Sequence, residues 1–290
     1  MCRLFSLAAR EPVRAAFWLL EAPDSLAEQS RRNPDGYGLA TFGPDGPEVE
    51  KEPVAAFSDA DFRREAAECV SPTFLAHVRY ASVGGHRLEN THPFLQDGRV
   101  FAHNGHIGGL DALEARLGDD MALVHGDTDS ERFFALITRE VRAGGDIGAG
   151  LAAAARWIAT ELPLFALNCI LATADGVWAL RYPDTHDLLV LERSPGGPGG
   201  DRHLEHASAA GRIRVRSGDL AARPAVVIAT ERMDEDAGWT ALAPGELLHV
   251  DRELRVTREL ALPDPPAHPL KLADLEPQAA AAQAPGGRGA

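Results

Sequence analysis

The chain has 290 residues, with 29 Lys and Arg against 43 Asp and Glu, a formal net charge of −14. At 45% hydrophobic and 25% charged it has a globular composition, and its acidic excess excludes an electrostatic footprint for nucleic acid or an anionic membrane. Three cysteines without short spacing exclude a disulfide framework or a cysteine zinc site, and the lack of a signal-peptide pattern or a run of roughly 18 apolar residues points to a cytoplasmic protein.

In chain order, residues 3–8 read as a strand that opens almost at the first residue. Asn33-Pro34-Asp35-Gly36 is a turn cluster feeding a short run over 37–42, where Gly36 and Gly38 suggest backbone lying close to something else. Ser58 can cap a helix over 59–69, with Phe62, Ala66 and Cys69 on one face. Residues 74–80 and 99–103 read as buried strands, separated by a polar, Gly-rich stretch over 82–93. Thr128 and Glu131 have capping-box spacing, and Phe134, Ile137 and Val141 follow with helical periodicity. A second helix is expected over 149–162. Strands then follow over 165–173, 177–182, 187–192, 224–230 and 247–260, with a Gly/Pro loop over 194–201. Residues 263–290 are Pro-, Ala- and Gly-rich and read as a disordered tail, leaving one α+β domain over 2–262.

Four features carry chemistry. Removal of Met1 would make Cys2 the terminal residue, with a thiol nucleophile and an α-amine whose ordinary pKa of roughly 7.7–8.0 suits a general base. Alone, a Met-Cys start is more simply a cysteine in a buried strand. In His77-Val78-Arg79-Tyr80-Ala81-Ser82, Arg79 ends an apolar run and offers its fork to a carboxylate or to a structural ion pair. Asn104-Gly105 reads as a turn after a strand, or as a side-chain donor beside a backbone N–H in an oxyanion hole. Asp127, Asp129 and Glu131 suit a helix start electrostatically, and one of them can instead receive an ammonium group. His77, His86, His92, His103 and His106 lack metal-ligand spacing, so no metal and no cofactor is expected.

The order of these features is more specific than any one of them. Met1-Cys2-Arg3-Leu4, Asn33-Pro34-Asp35-Gly36-Tyr37-Gly38, His77-Val78-Arg79-Tyr80-Ala81, Asn90-Thr91-His92-Pro93-Phe94, His103-Asn104-Gly105 and Thr128-Asp129-Ser130-Glu131 together resemble a class II glutamine amidotransferase domain of the stand-alone bacterial type, an N-terminal-nucleophile hydrolase. Val227-Ile228-Ala229-Thr230-Glu231, Gly238-Trp239 and Pro244-Gly245-Glu246 extend the likeness to about residue 260.

The resemblance implies a four-layer αββα sandwich of two antiparallel sheets. It implies Cys2 as nucleophile, Asn104 and Gly105 as the oxyanion hole, Arg79 on the glutamine α-carboxylate and Asp129 on its α-ammonium. Tyr80 stands where many members have Trp and, with His92, is expected in the pocket wall. The implied reaction is hydrolysis of the glutamine γ-carboxamide through a γ-glutamyl thioester, with a separate synthase as the potential partner for the ammonia. Alternatives are hydrolysis of a larger γ-glutamyl amide, as in ergothioneine-type synthesis, and a non-catalytic regulatory subunit, which the intact Cys2, Asn104 and Arg79 argue against.

Overall fold

Two antiparallel sheets stack face to face with helices on both outer faces, the four-layer αββα sandwich that the resemblance implies. The computed structural model describes residues 1–81, 85–194 and 223–284, with backbone alone for 205–207 and 214–216. The expected loop over 194–201 lies, beyond Ser194, outside the described residues, as do positions 82–84.

The first sheet contains β1 (Arg3–Val13), β2 (Tyr37–Gly43), β3 (Gly46–Glu52), β4 (Ser71–Val78), β9 (Leu189–Arg193), β12 (Ala225–Ala229) and β13 (Thr240–Ala241), in the order β13-β9-β12-β1-β4-β2-β3. The second contains β5 (Phe94–Gln96), β6 (Arg99–Ile107), β7 (Pro163–Ala172), β8 (Gly176–Leu180), β14 (Glu246–Asp251) and β15 (Val256–Leu260), in the order β15-β14-β8-β7-β6-β5. A short β16 (His268–Pro269) joins β7 in parallel, and β10 (Glu205–Ala207) pairs with β11 (Arg214–Arg216) as a separate ribbon.

The period of two along a strand sorts side chains into layers. In β1, Phe5 and Leu7 enter the outer core with Trp18 and Phe62, whereas Leu4 and Ala8 enter the layer between the sheets. Ala40, Ala102, Ala172 and Ala179 also lie in that inter-sheet layer. On the far side, Phe101 and Leu167 pack under Phe133, Ile137, Leu151 and Ile158. These last four come from two helices, Asp129–Gly144 and Ile147–Glu161. Burial of both faces explains why the strands read as nearly unbroken apolar runs.

Thr128 caps the first of these helices as expected, accepting from the Glu131 N–H at 3.2 Å. Glu131 does not complete the box: its carboxylate accepts from the Gly126 N–H at 2.7 Å. The cap near residue 58 falls one position later. Asp59 accepts from both the Asp61 and Phe62 amides, two bonds to ionised oxygen, at the start of Ala60–Glu68. The single strand expected over 247–260 is the hairpin of β14 and β15, turned where Asp251 accepts from the Glu253 and Arg255 amides. Residues 263–284 are not a disordered tail. They form β16, a 3-10 turn over Leu272–Asp274 and a helix over Pro277–Gln283 that buries Ala279, Ala282 and Gln283. Their composition carries little apolar signal because their anchors are alanine methyls and backbone pairing. No described helix is long and apolar enough to cross a membrane.

Candidate active site

The pairing of β1 with β4 decides what surrounds Cys2. Arg3 lies opposite Val78 and Leu4 opposite His77, so the residues that continue β4 run beside the one that precedes β1. The Cys2 thiol accordingly donates to the Tyr80 carbonyl at 3.4 Å, and its sulfur accepts from the Tyr80 N–H at 3.3 Å. Burial pushes the Cys2 thiol above its ordinary pKa, while the Tyr80 backbone, the terminal amine, Arg79 and Arg3 pull it back. One residue earlier, Met1 is half-buried and its carbonyl is gripped by Arg3, at 2.9 Å, and by the Asn33 carboxamide. Burial pushes the Met1 amine down to about 6, with Cys2 and Glu231 opposing and Arg3 assisting.

A cavity of about 20 Å³ is lined by Cys2, Arg79, Tyr80, His92, His103, Gly105, Thr128, Asp129 and Ser130. Six of the seven residues singled out from the sequence are therefore brought together by five separate segments. Arg79 is buried, donates to the Gly85 carbonyl at 3.0 Å, and has Cys2, Asp35 and Asp129 as the acidic groups that favour its charge against burial. Asp129 accepts from the Ile107 N–H at 2.9 Å and from its neighbour Ser130 N–H at 2.8 Å, which ties the first residue of its helix to the end of β6.

The seventh residue is placed differently. Asn104 and Gly105 are not a turn but the middle of β6, paired with Asn168 and Leu167 of β7. Strand alternation puts His103 and Gly105 on one face and the Asn104 side chain on the other, and Asn104 is not on the cavity wall. Its carboxamide is fully buried, and neither Nδ2 nor Oδ1 has a protein partner. Such a group costs about 1–3 kcal/mol unless something satisfies it.

Several contributing residues went unassigned in the sequence. Asp35, read only as part of a turn, accepts from the Ala81 N–H at 2.9 Å beside Arg79. Its place in the motif with Gly36 and Gly38 was the available signal. At Gly38 an added Cβ would lie 2.1 Å from the His92 carbonyl oxygen, so the close approach read from that glycine is against the site itself. Lys51 fixes the same segment by donating to the Thr91 carbonyl at 2.8 Å. His103 lies 2.9 Å from the Ser130 hydroxyl through Nδ1 and 3.2 Å from the Ala166 carbonyl through Nε2. A carbonyl only accepts, which assigns the proton of a neutral ring to Nε2.

The buried histidines are held neutral. Burial, with Arg79 and His103 assisting, pushes His77 down to about 3, and burial also depresses His92 and His103. Between the unfolded value near 6.5 and about 3, the unfolded chain binds a proton at residue 77 that the folded chain refuses. Folded stability is then greatest above pH 6.5 and falls with decreasing pH by up to ~1.4 kcal/mol per unit for such a group. Urea midpoints measured from pH 7 to pH 5 should fall, and His77→Gln should flatten that fall. An unchanged slope in the variant rules out this source. Among the described residues no group of three or more His, Cys, Asp or Glu is arranged to hold a metal ion.

The family profile of class-II glutamine amidotransferases matches residues 1–268. YafJ of Escherichia coli (strain K12) is 28% identical over 261 residues, spanning 85% of this chain and 96% of YafJ. A glutamine aminotransferase class-II domain protein from Silicibacter pomeroyi superposes with a TM-score of 0.56 at 22% identity, over 89% of this chain and 98% of that one. The glutamine phosphoribosylpyrophosphate amidotransferase of B. subtilis superposes with a TM-score of 0.62 at 17% identity over 91% of this chain. The match spans only 50% of that longer protein.

Proposed function

Because the chain belongs to the class-II glutamine amidotransferase family, we propose that it hydrolyses the γ-carboxamide of glutamine, with Cys2 as N-terminal nucleophile once Met1 has been removed. The observation that carries this reading is the one cavity shared by Cys2, Arg79, Gly105 and Asp129. Arg79 receives the α-carboxylate of glutamine through its fork. Asp129 receives the α-ammonium, since its Oδ2 accepts only from the Ile107 N–H and retains a lone pair.

The Cys2 α-amine, directly or through one water, takes the thiol proton, and the sulfur bonds to the γ-carbon. The carbonyl electrons move onto oxygen, where the Asn104 carboxamide and the Gly105 N–H stabilise the charge. Collapse breaks the C–N bond, and the ammonium returns its proton to the departing ammonia. Water, deprotonated by the same amine, then attacks the thioester, releasing glutamate and restoring the thiol. Three free cysteines suit a reducing compartment such as the cytoplasm, where a separate synthase is the fitting recipient for the ammonia.

The test is intact mass after incubation with a diazo-ketone analogue of glutamine, together with ammonia release from glutamine. One adduct mapped to a chain that starts at Cys2 is expected, and an adduct at Cys69 or Cys169 overturns the assignment. Arg79→Lys keeps the charge and loses the fork, so the KM for glutamine should rise by on the order of tenfold while kcat changes less. An unaltered KM removes Arg79 from the carboxylate.

A further inference from the structure

We infer that the C-terminal helix Pro277–Gln283 is a strap across the chemical end of the site, which must swing away before a substrate enters and which limits the size of the leaving amine. This rests on the reading of the site as one that hydrolyses glutamine.

The path of the chain sets the strap in place. After β15 it returns along the second sheet, where β16 pairs with Pro163 and Leu164 of β7 and the Leu270 N–H donates to the Leu164 carbonyl at 2.8 Å. The following helix, Pro-Gln-Ala-Ala-Ala-Ala-Gln, has only seven residues, far too few to persist in water on its own. What holds it is the site. Ala282 packs with Cys2 and Tyr80 in one apolar cluster. Gln278 donates to the Ala81 carbonyl at 3.4 Å. Gln283 is buried, its Nε2 donating to the Gly105 carbonyl at 2.7 Å and its Oε1 lying 2.7 Å from His186 Nε2.

These contacts are with the residues around the nucleophile and the proposed oxyanion donor. The strap thus covers the place from which an amine would depart. Cys2, Tyr80 and Gly105, which the strap contacts, all line a cavity of about 20 Å³ that has room for a single water and none for an amino acid. Its anchors are alanine methyls and a few side-chain hydrogen bonds, the kind of contact set that opens locally without global unfolding. A carboxamide of the chain itself is fully bonded beside Gly105, a position that an entering substrate's amide has to contest.

The experiment measures how fast iodoacetamide, and separately the diazo-ketone glutamine analogue, modify Cys2 in the full-length protein and in a chain ending at Glu276. Peptide mapping uses Cys69 as an internal reference. A rise of tenfold or more in the Cys2 rate with Cys69 unchanged is expected, together with gained hydrolysis of γ-glutamyl-p-nitroanilide. If the shortened chain fails to fold, full-length Gln283→Ala, which removes the bonds to Gly105 and His186, carries the test with a severalfold rise. Equal or slower Cys2 modification in the folded variants overturns the strap. Labelling does not depend on turnover, so the two readings fail separately. Faster labelling without ammonia release from glutamine keeps the strap and sinks the glutaminase. Unchanged labelling in a protein that turns over glutamine does the reverse.

Discussion

Cys2→Ala should abolish ammonia release from glutamine, and an uncleaved tag ahead of Cys2 should come close to doing the same. The two changes act on different atoms. Alanine removes the sulfur proposed to bond to the γ-carbon, whereas a tag converts the α-amine into an amide that cannot accept a proton at neutral pH. A tag also enters a site where the Met1 carbonyl is already held by Arg3 and Asn33. Neither change should cost much stability in the body of the fold, because Cys2 lies outside β1 and its packed neighbours are Tyr80 and Ala282. The measurement is coupled-assay ammonia release alongside a thermal melt. Full activity from a purified fusion whose tag is verified intact by mass would end the N-terminal-nucleophile reading.

Asn104→Leu should separate activity from stability. The Asn104 carboxamide is buried without a protein partner for either polar atom. Exchanging it for an apolar side chain of similar volume removes that desolvation cost, so the melting temperature should hold or rise. If the carboxamide stabilises the oxyanion, kcat for glutamine should fall about 10²–10³-fold, the loss typical of one such donor. KM should move less, because Arg79 and Asp129 are the proposed anchors of the other end of the substrate. A kcat within a few fold of wild type excludes Asn104 from the oxyanion hole and leaves Gly105, which does line the cavity, as the donor to examine. A large drop in melting temperature would show instead that the carboxamide is structurally satisfied in solution.

Legibility in the sequence followed the range of the interactions involved. The helix starting at Asp129 was readable because its cap and its stripe are local, from Thr128 to Val141. The strands with two buried faces were readable as apolar runs, and β3 was not, because its Glu48, Glu50 and Glu52 face solvent at the edge of the sheet. Asn104-Gly105 looked like a turn because that dipeptide favours one locally. Its pairing with β7 overrides the preference, and no short-range pattern announces it. The candidate site was legible only as an order of motifs. That Arg79 and Asp129 share a cavity follows from the stacking of two sheets, which neither motif encodes. The C-terminal helix left no signal, because alanines have little apolar moment and their burial depends on a surface assembled from distant strands.

The place of β1 in the middle of its sheet has a consequence for how the protein is made. One edge of β1 pairs with β4, but the other waits for β12, and the Leu4 amide finds Thr230 only 226 residues further along. During synthesis the leading residues therefore stay open on one side until most of the chain has left the ribosome. That interval is when an aminopeptidase has access to Met1. Once β12 closes against β1, Glu231 pairs with Arg3, one of the two residues that clamp the Met1 carbonyl, and the scissile bond lies at the head of a central strand. On the proposed reading, maturation of the nucleophile is thus a race between trimming and strand closure. Overproduction that outpaces the peptidase should yield folded molecules that retain Met1 and stay inactive, a mixture that late addition of the peptidase does not rescue.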